Sequence, residues 1–113
     1  MTTAAEDFYC DEVLSGNTEV EKVWETEHTL AFYHTRPFYK VHIVVIPKQH
    51  ILSFLEIDEE TKHIMEDVFS VIQKVANGVN EKYGACTVSS NVGGYQSNKH
   101  MHWHVRFGDR IRS

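Results

Sequence analysis

The chain has 113 residues and a mass of 13.1 kDa, so residues 1–113 are read as a single domain with one hydrophobic core. Its formal net charge of −5, from 11 Lys and Arg against 16 Asp and Glu, excludes the broad basic footprint that non-specific nucleic-acid binding needs, so any phosphate ligand has to be held locally. No run approaches the roughly 18 apolar residues of a membrane span, no basic and then apolar leader opens the chain, and Cys10 and Cys86 lie far apart without C-x-x-C spacing, so the expectation is a cytoplasmic protein with reduced thiols.

Ala4 to Leu14 reads as a short amphipathic helix with Phe8, Val13 and Leu14 buried, and Gly16 suits the left-handed position past its end. Two β-branched and aromatic runs, Val20 to Glu25 and Thr29 to Tyr33, predict a hairpin with Trp24 and Phe32 in the core. Arg36 is forced out of helical conformation by Pro37 and breaks the pattern. Lys40 to Ile46 is an almost continuous β-branched run, the mark of a central strand buried on both faces, and Pro47 ends it. His42 is thus a polar group in an apolar strand. Asp58 reads as the N-cap of a long helix, with Glu59 and Glu60 in its first turn, where the helix dipole favours acids. Ile64, Val68, Ile72, Val75 and Val79 recur at helical spacing beside Met65 and Phe69, and Gly84 closes the helix after about six turns. Cys86 to Asn91 reads as a strand, Val92 to Asn98 as a turn-rich loop and Lys99 to Phe107 as a last strand. Strands interrupted by one long helix predict an α+β fold, a mostly antiparallel sheet with the helix on one face.

The last strand carries His100, His102 and His104 at every second position, with Met101, Trp103 and Val105 between them. Successive strand side chains point to opposite faces, so the imidazoles share one face, about 6.5 to 7 Å apart along the strand, and the apolar residues share the other. Three structural histidines side by side would each need a partner and would repel one another when protonated. Two functional readings stay open on the residues alone. H-x-H spacing can ligate Zn²⁺, although carboxylates to orient such ligands are scarce nearby. Imidazole can also act as a nucleophile at phosphorus, with a protonated neighbour stabilising phosphate charge. Gly93 and Gly94 would allow backbone approach to phosphate, and Asn91, Gln96 and Ser97 would supply uncharged donors. His28, His50 and His63 are read as structural.

Gln96 and Ser97 followed by His100-Met101-His102-Trp103-His104-Val105, with His42-Ile43-Val44-Val45-Ile46-Pro47-Lys48-Gln49-His50 upstream, resemble the histidine-triad (HIT) superfamily, whose signature is H-φ-H-φ-H-φ-φ. The likeness is greatest to its Hint branch of nucleoside phosphoramidases and nucleotide hydrolases, and runs from Phe8 to Asp109. It implies a HIT-like fold, a five-stranded, mainly antiparallel sheet with one short N-terminal helix and one long helix, in a homodimer. It also implies a role for each site residue. His102 would be the nucleophile that forms a nucleotidyl-histidine, His104 would bind phosphate and assist the leaving group, His100 would orient His102, and His42 would be a fourth, phosphate-side histidine. Asn91 and Ser97, with Gln96 beside them, would bind phosphate, and Tyr9, Phe32 and His34 would form a nucleoside pocket for a purine mononucleotide or nucleotide conjugate. The chain departs from the pattern at Arg106, which stands where an apolar residue is usual, at Tyr95, which replaces a glycine, and at His34, where many Hint proteins carry an aspartate that binds the ribose. Some relatives hold a structural zinc through an N-terminal C-x-x-C; Cys10 stands alone, so neither metal nor cofactor is expected. The alternatives are a nucleotide-binding regulatory module with incidental hydrolysis and a zinc-dependent hydrolase.

Overall fold

The β-branched run from Val41 to Ile46 needs apolar cover on both sides, and the fold supplies it with a different partner on each face. In the computed structural model, which describes residues 8–112, five strands form one sheet: β1 (Lys22–Glu25), β2 (Thr29–Tyr33), β3 (Tyr39–Pro47), β4 (Thr87–Ser90) and β5 (Trp103–Arg110). Their spatial order is β1-β2-β3-β5-β4, and every neighbouring pair is antiparallel. This is the α+β architecture expected, with β3 at the centre.

The long helix α2 (Lys62–Tyr83) covers one face. Its Ile64, Met65, Val68, Val71, Ile72, Val75 and Val79 pack on Ala31, Val41, Ile43, Val45, Met101 and Val105. The short helix α1 (Tyr9–Leu14) covers part of the other, where Tyr9 and Val13 pack on Leu30, Phe32, Val44 and Ile46. Alternate residues of β3 thus belong to two different cores, as strand geometry requires.

Several local expectations need correction. The helix expected over Ala4 to Leu14 is described only from residue 8; Ala4 to Asp7 lie outside the described residues, and the rest is wound with π-type hydrogen bonding. Phe8 and Leu14 are half-buried rather than buried. Trp24 lies on edge strand β1 and is 43% exposed, whereas Phe32 on the inner strand β2 is 1% exposed. Helix α2 starts three residues later than read, with Thr61 rather than Asp58 at its N-cap position, because Asp58 caps a separate turn. Asp58 Oδ1 accepts from the Thr61 amide at 3.1 Å and Thr61 Oγ1 accepts from the Asp58 amide at 3.0 Å. Glu59 and Glu60 fall in that turn. At the other end the helix closes at Gly84, as expected, and Gly84 adopts φ 92° and donates its amide to the Asn80 carbonyl, a left-handed cap.

Strand β5 is shifted towards the C-terminus of the reading. Val45 faces Trp103 in the ladder, so Pro47 would face Met101, and proline has no N–H to offer. The Met101 amide turns instead to the Ile51 carbonyl at 2.6 Å. His100, at the end of a bend over residues 97–100, and His102 therefore precede the paired strand, and only His104 lies within it.

Candidate active site

The alternation of side chains survives this shift. Met101 and Val105 enter the core beneath α2, while His102 and His104 reach the opposite side of the sheet, where their ring centroids lie 5.0 Å apart. There they line a pocket of about 300 Å³ with Tyr9, His34, Phe38, Tyr39, His42, Ser89, Asn91, Ser97, Arg106 and Arg110. Among the described residues, no carboxylate lines it.

Hydrogen bonds fix which nitrogen of each imidazole carries the proton. The His102 Nδ1–H donates to the His100 carbonyl at 2.8 Å, which leaves Nε2 as the unprotonated nitrogen. The Phe38 amide donates to His42 Nδ1 at 3.1 Å, so His42 carries its proton on Nε2 and donates it to His104 Nδ1 at 2.9 Å. His104 in turn presents an Nε2–H. The pocket therefore holds one nucleophilic nitrogen and one N–H donor on adjacent inward-facing residues, each set by a backbone group. The Arg36 amide donates to His34 Nδ1 at 2.9 Å, and the His34 ring stacks on His42 at 4.4 Å.

Burial and mutual repulsion keep this cluster uncharged. Burial pulls the His104 pKa down to about 3, reinforced by His102, His42, His34 and Arg106. Burial likewise pulls His42 down to about 4, with help from His34, Arg106 and His102. His102 and His34 are lowered mainly by burial as well; the bond to the His100 carbonyl opposes the shift at His102. The protonated neighbour anticipated from the sequence is thus absent at neutral pH in the free protein, and the fixed positive charges at the pocket are Arg106 and Arg110. Arg106 lies over the Tyr39 ring at 4.2 Å.

Of the residues singled out in the sequence, Tyr9, His34, His42, Asn91, Ser97, His102 and His104 come together in this pocket, and His100, Gln96, Phe32, Gly93 and Gly94 do not line it. His100 is fully buried behind His102, where its Nε2–H donates to the Pro47 carbonyl at 2.8 Å. Gln96 folds inward and donates to the Leu52 carbonyl at 2.6 Å. Phe32 lies beneath Tyr9, ring centroids 5.9 Å apart. Gly93, at φ 65°, serves the short 3₁₀ turn Gly93–Tyr95. Phe38, Tyr39, Ser89 and Arg110 were not anticipated, and Arg106 was read only as a departure from a motif. The signal for Arg106 was its place two residues after His104, on the same face of the strand.

Cys10 does not stand alone in space. Its Sγ lies 3.3 Å from His100 Nδ1, and Cys10, His50 and His100 present donor atoms that all lie within 4.8 Å of one another. A thiol and two imidazoles suit Zn²⁺, and His100, whose other nitrogen is bonded to a backbone carbonyl, has the orientation of a ligating histidine. None of the three lines the pocket.

Comparison with known proteins gives a consistent result. Residues 15–110 match the HIT domain family. An uncharacterized HIT-like protein of Helicobacter pylori is 37% identical over 103 residues, covering 88% of this chain and 95% of that one. Among solved structures, a HIT family hydrolase from Clostridium thermocellum superposes with a TM-score of 0.75 at 26% identity, covering 95% of this chain and 94% of that chain. A hypothetical histidine triad nucleotide-binding protein from Sulfolobus tokodaii superposes with a TM-score of 0.78 at 26% identity, covering 89% and 68%.

Proposed function

The chain belongs to the HIT family, and on that footing we propose that it is a nucleotide hydrolase that cleaves a nucleoside phosphoramidate or related nucleotide conjugate through a nucleotidyl-histidine on His102. The observation that carries this reading is the hydrogen bond from His102 Nδ1–H to the His100 carbonyl, which leaves Nε2 with its lone pair on a side chain lining a pocket to which no described residue contributes a carboxylate. In the first step Nε2 attacks phosphorus, the N–P bond forms and the bond to the leaving group breaks. His104 Nε2–H hydrogen-bonds the leaving group, which departs with a proton taken from water, and the His42 Nε2–H bonded to His104 Nδ1 keeps that donor pointed at it. Water then attacks phosphorus and gives up a proton to solvent, which balances the one taken by the leaving group, the N–P bond breaks and the nucleotide leaves with His102 neutral again. Arg106 and Arg110 supply positive charge for the phosphate, with Asn91 and Ser97 as uncharged donors.

A Zn²⁺ ion held by Cys10, His50 and His100 would tie α1 to the segment before β5, a structural task in this scheme. The substrate is read as a purine nucleotide conjugate, with Tyr9 and His34 on the wall that meets the nucleoside. We further read the protein as cytoplasmic and as a homodimer; the exposed apolar residues Phe54, Leu55, Phe69 and, on edge strand β4, Val88 support the dimer.

Mass spectrometry of protein quenched during turnover of adenosine phosphoramidate tests the chemistry. A nucleotidyl adduct on a peptide containing His102 is expected, and His102→Ala should lose both the adduct and several decades of turnover. Equal hydrolysis by His102→Ala would overturn the mechanism. Tight nucleotide binding by the wild-type protein without adduct or turnover would favour the regulatory module instead.

A further inference from the structure

On the side of the sheet remote from the histidines, a groove of about 360 Å³ runs between α2 and the hairpin. Its floor is Val41, Ile43, Val75 and Val79, and its walls include Trp24, Tyr33 and Tyr83. Trp24 and Tyr33 are each 43% exposed there. Three lysines line its rim, on a chain of net charge −5. Lys40 and Lys82 both lie beside Tyr83 at one end, with ammonium groups 5.9 and 5.4 Å from its ring centroid, and Lys74 lies 5.3 Å from that of Trp24. Lys74 and Lys82 are eight residues apart on one helix, about 12 Å along its axis at 1.5 Å per residue. None of the three forms an ion pair among the described residues.

Gly78 gives an independent indication. It lies in the middle of α2 and lines the groove, where glycine costs about 1 kcal/mol relative to alanine. No atom lies within 4 Å of where its Cβ would be, so the fold's own packing makes no use of the missing side chain. What its absence does is keep the groove open.

We propose that this groove is a second binding site, for a small amphipathic carboxylate with a linear apolar tail. The tail would lie along Val75, Gly78 and Val79, and the carboxylate would sit between Lys40 and Lys82. An apolar floor with two ammonium groups beside Tyr83 at one end complements one anionic head and one apolar body, and the volume is within the usual range for small-molecule sites. The site lies across the sheet from His102, so its occupation and the chemistry are separable.

Decanoate below its micellar concentration is the probe, followed by calorimetry and by the indole N–H resonance of Trp24. Saturable one-to-one binding that moves this resonance is expected, and decanol should bind at least tenfold more weakly. Gly78→Leu, which fills the groove while improving helix propensity, should abolish binding and leave nucleotide hydrolysis unchanged. The double variant Lys40→Glu/Lys82→Glu should weaken decanoate at least tenfold and leave decanol unaffected. Absence of saturable decanoate binding, equal affinity for decanol, or undiminished binding by folded Gly78→Leu would each overturn the site, whatever the outcome at His102.

Discussion

His104 and His42 work as a pair whose proton positions are set from outside, by the Phe38 amide. Removing the donor at His42 should therefore matter most when the leaving group needs a proton. His42→Phe is expected to lower kcat about 10²- to 10⁴-fold for an amine leaving group and far less for 4-nitrophenolate, as parallel kinetics on the two substrate types would reveal. At Arg106 the expectation concerns binding. Its guanidinium supplies a charge the neutral histidines do not, and hydrogen bonds to charged groups contribute about 1.5 to 3 kcal/mol. Arg106→Ala should raise KM for a nucleotide substrate by about one to two decades, and Arg106→Lys should restore part of the loss by keeping the charge without the planar fork. A KM unchanged in Arg106→Ala would remove this residue from phosphate binding.

Among the elements, β5 shows how sequence and fold divide the information. The alternation of His102 and His104 with Met101, Trp103 and Val105 was legible, because it depends only on the pleat. So were the central strand, from its β-branched run, and the apolar stripe of α2, from its period. The start of β5 was not legible, since it depends on Pro47 having no N–H for a partner 54 residues away in sequence. The gathering of Cys10, His50 and His100 was hidden for the same reason: their spacing carries no pattern until the chain has folded. Trp24 was misplaced because propensity does not distinguish an edge strand from an inner one. Gly108, within β5, marks another such long-range contact. It adopts φ 91°, and a Cβ there would lie 2.7 Å from Lys40 Cβ, next to the register shift between Tyr39 and Val41. Gly108→Ala should cost about 1 to 3 kcal/mol, measurable by urea unfolding. An unchanged midpoint would show that β3 and β5 can separate there without penalty.

For the molecule as a whole, the buried neutral histidines link stability to pH. His42 and His104 titrate near 4 and 3 in the folded protein, against about 6.5 when unfolded. Between those values the unfolded chain binds more protons, so stability rises with pH through this window. Their contribution is intact at neutral pH and is lost as pH falls from about 6.5 towards 3. The melting temperature should drop between pH 7 and pH 4.5, and drop less in a His42→Gln/His104→Gln variant; parallel slopes for the two proteins would assign acid sensitivity to other groups. The antiparallel pairing of β3 with β5 also bears on how the chain reaches its native state. His42 and His104 are 62 residues apart, so closing this pair carries the entropy of a long loop and is slow compared with hairpin formation. Until β5 arrives, β3 has one edge unpaired along the most apolar stretch of the chain, the kind of edge that recruits other chains. Folding yield should therefore depend on protein concentration more steeply than the small size of the domain would lead one to expect.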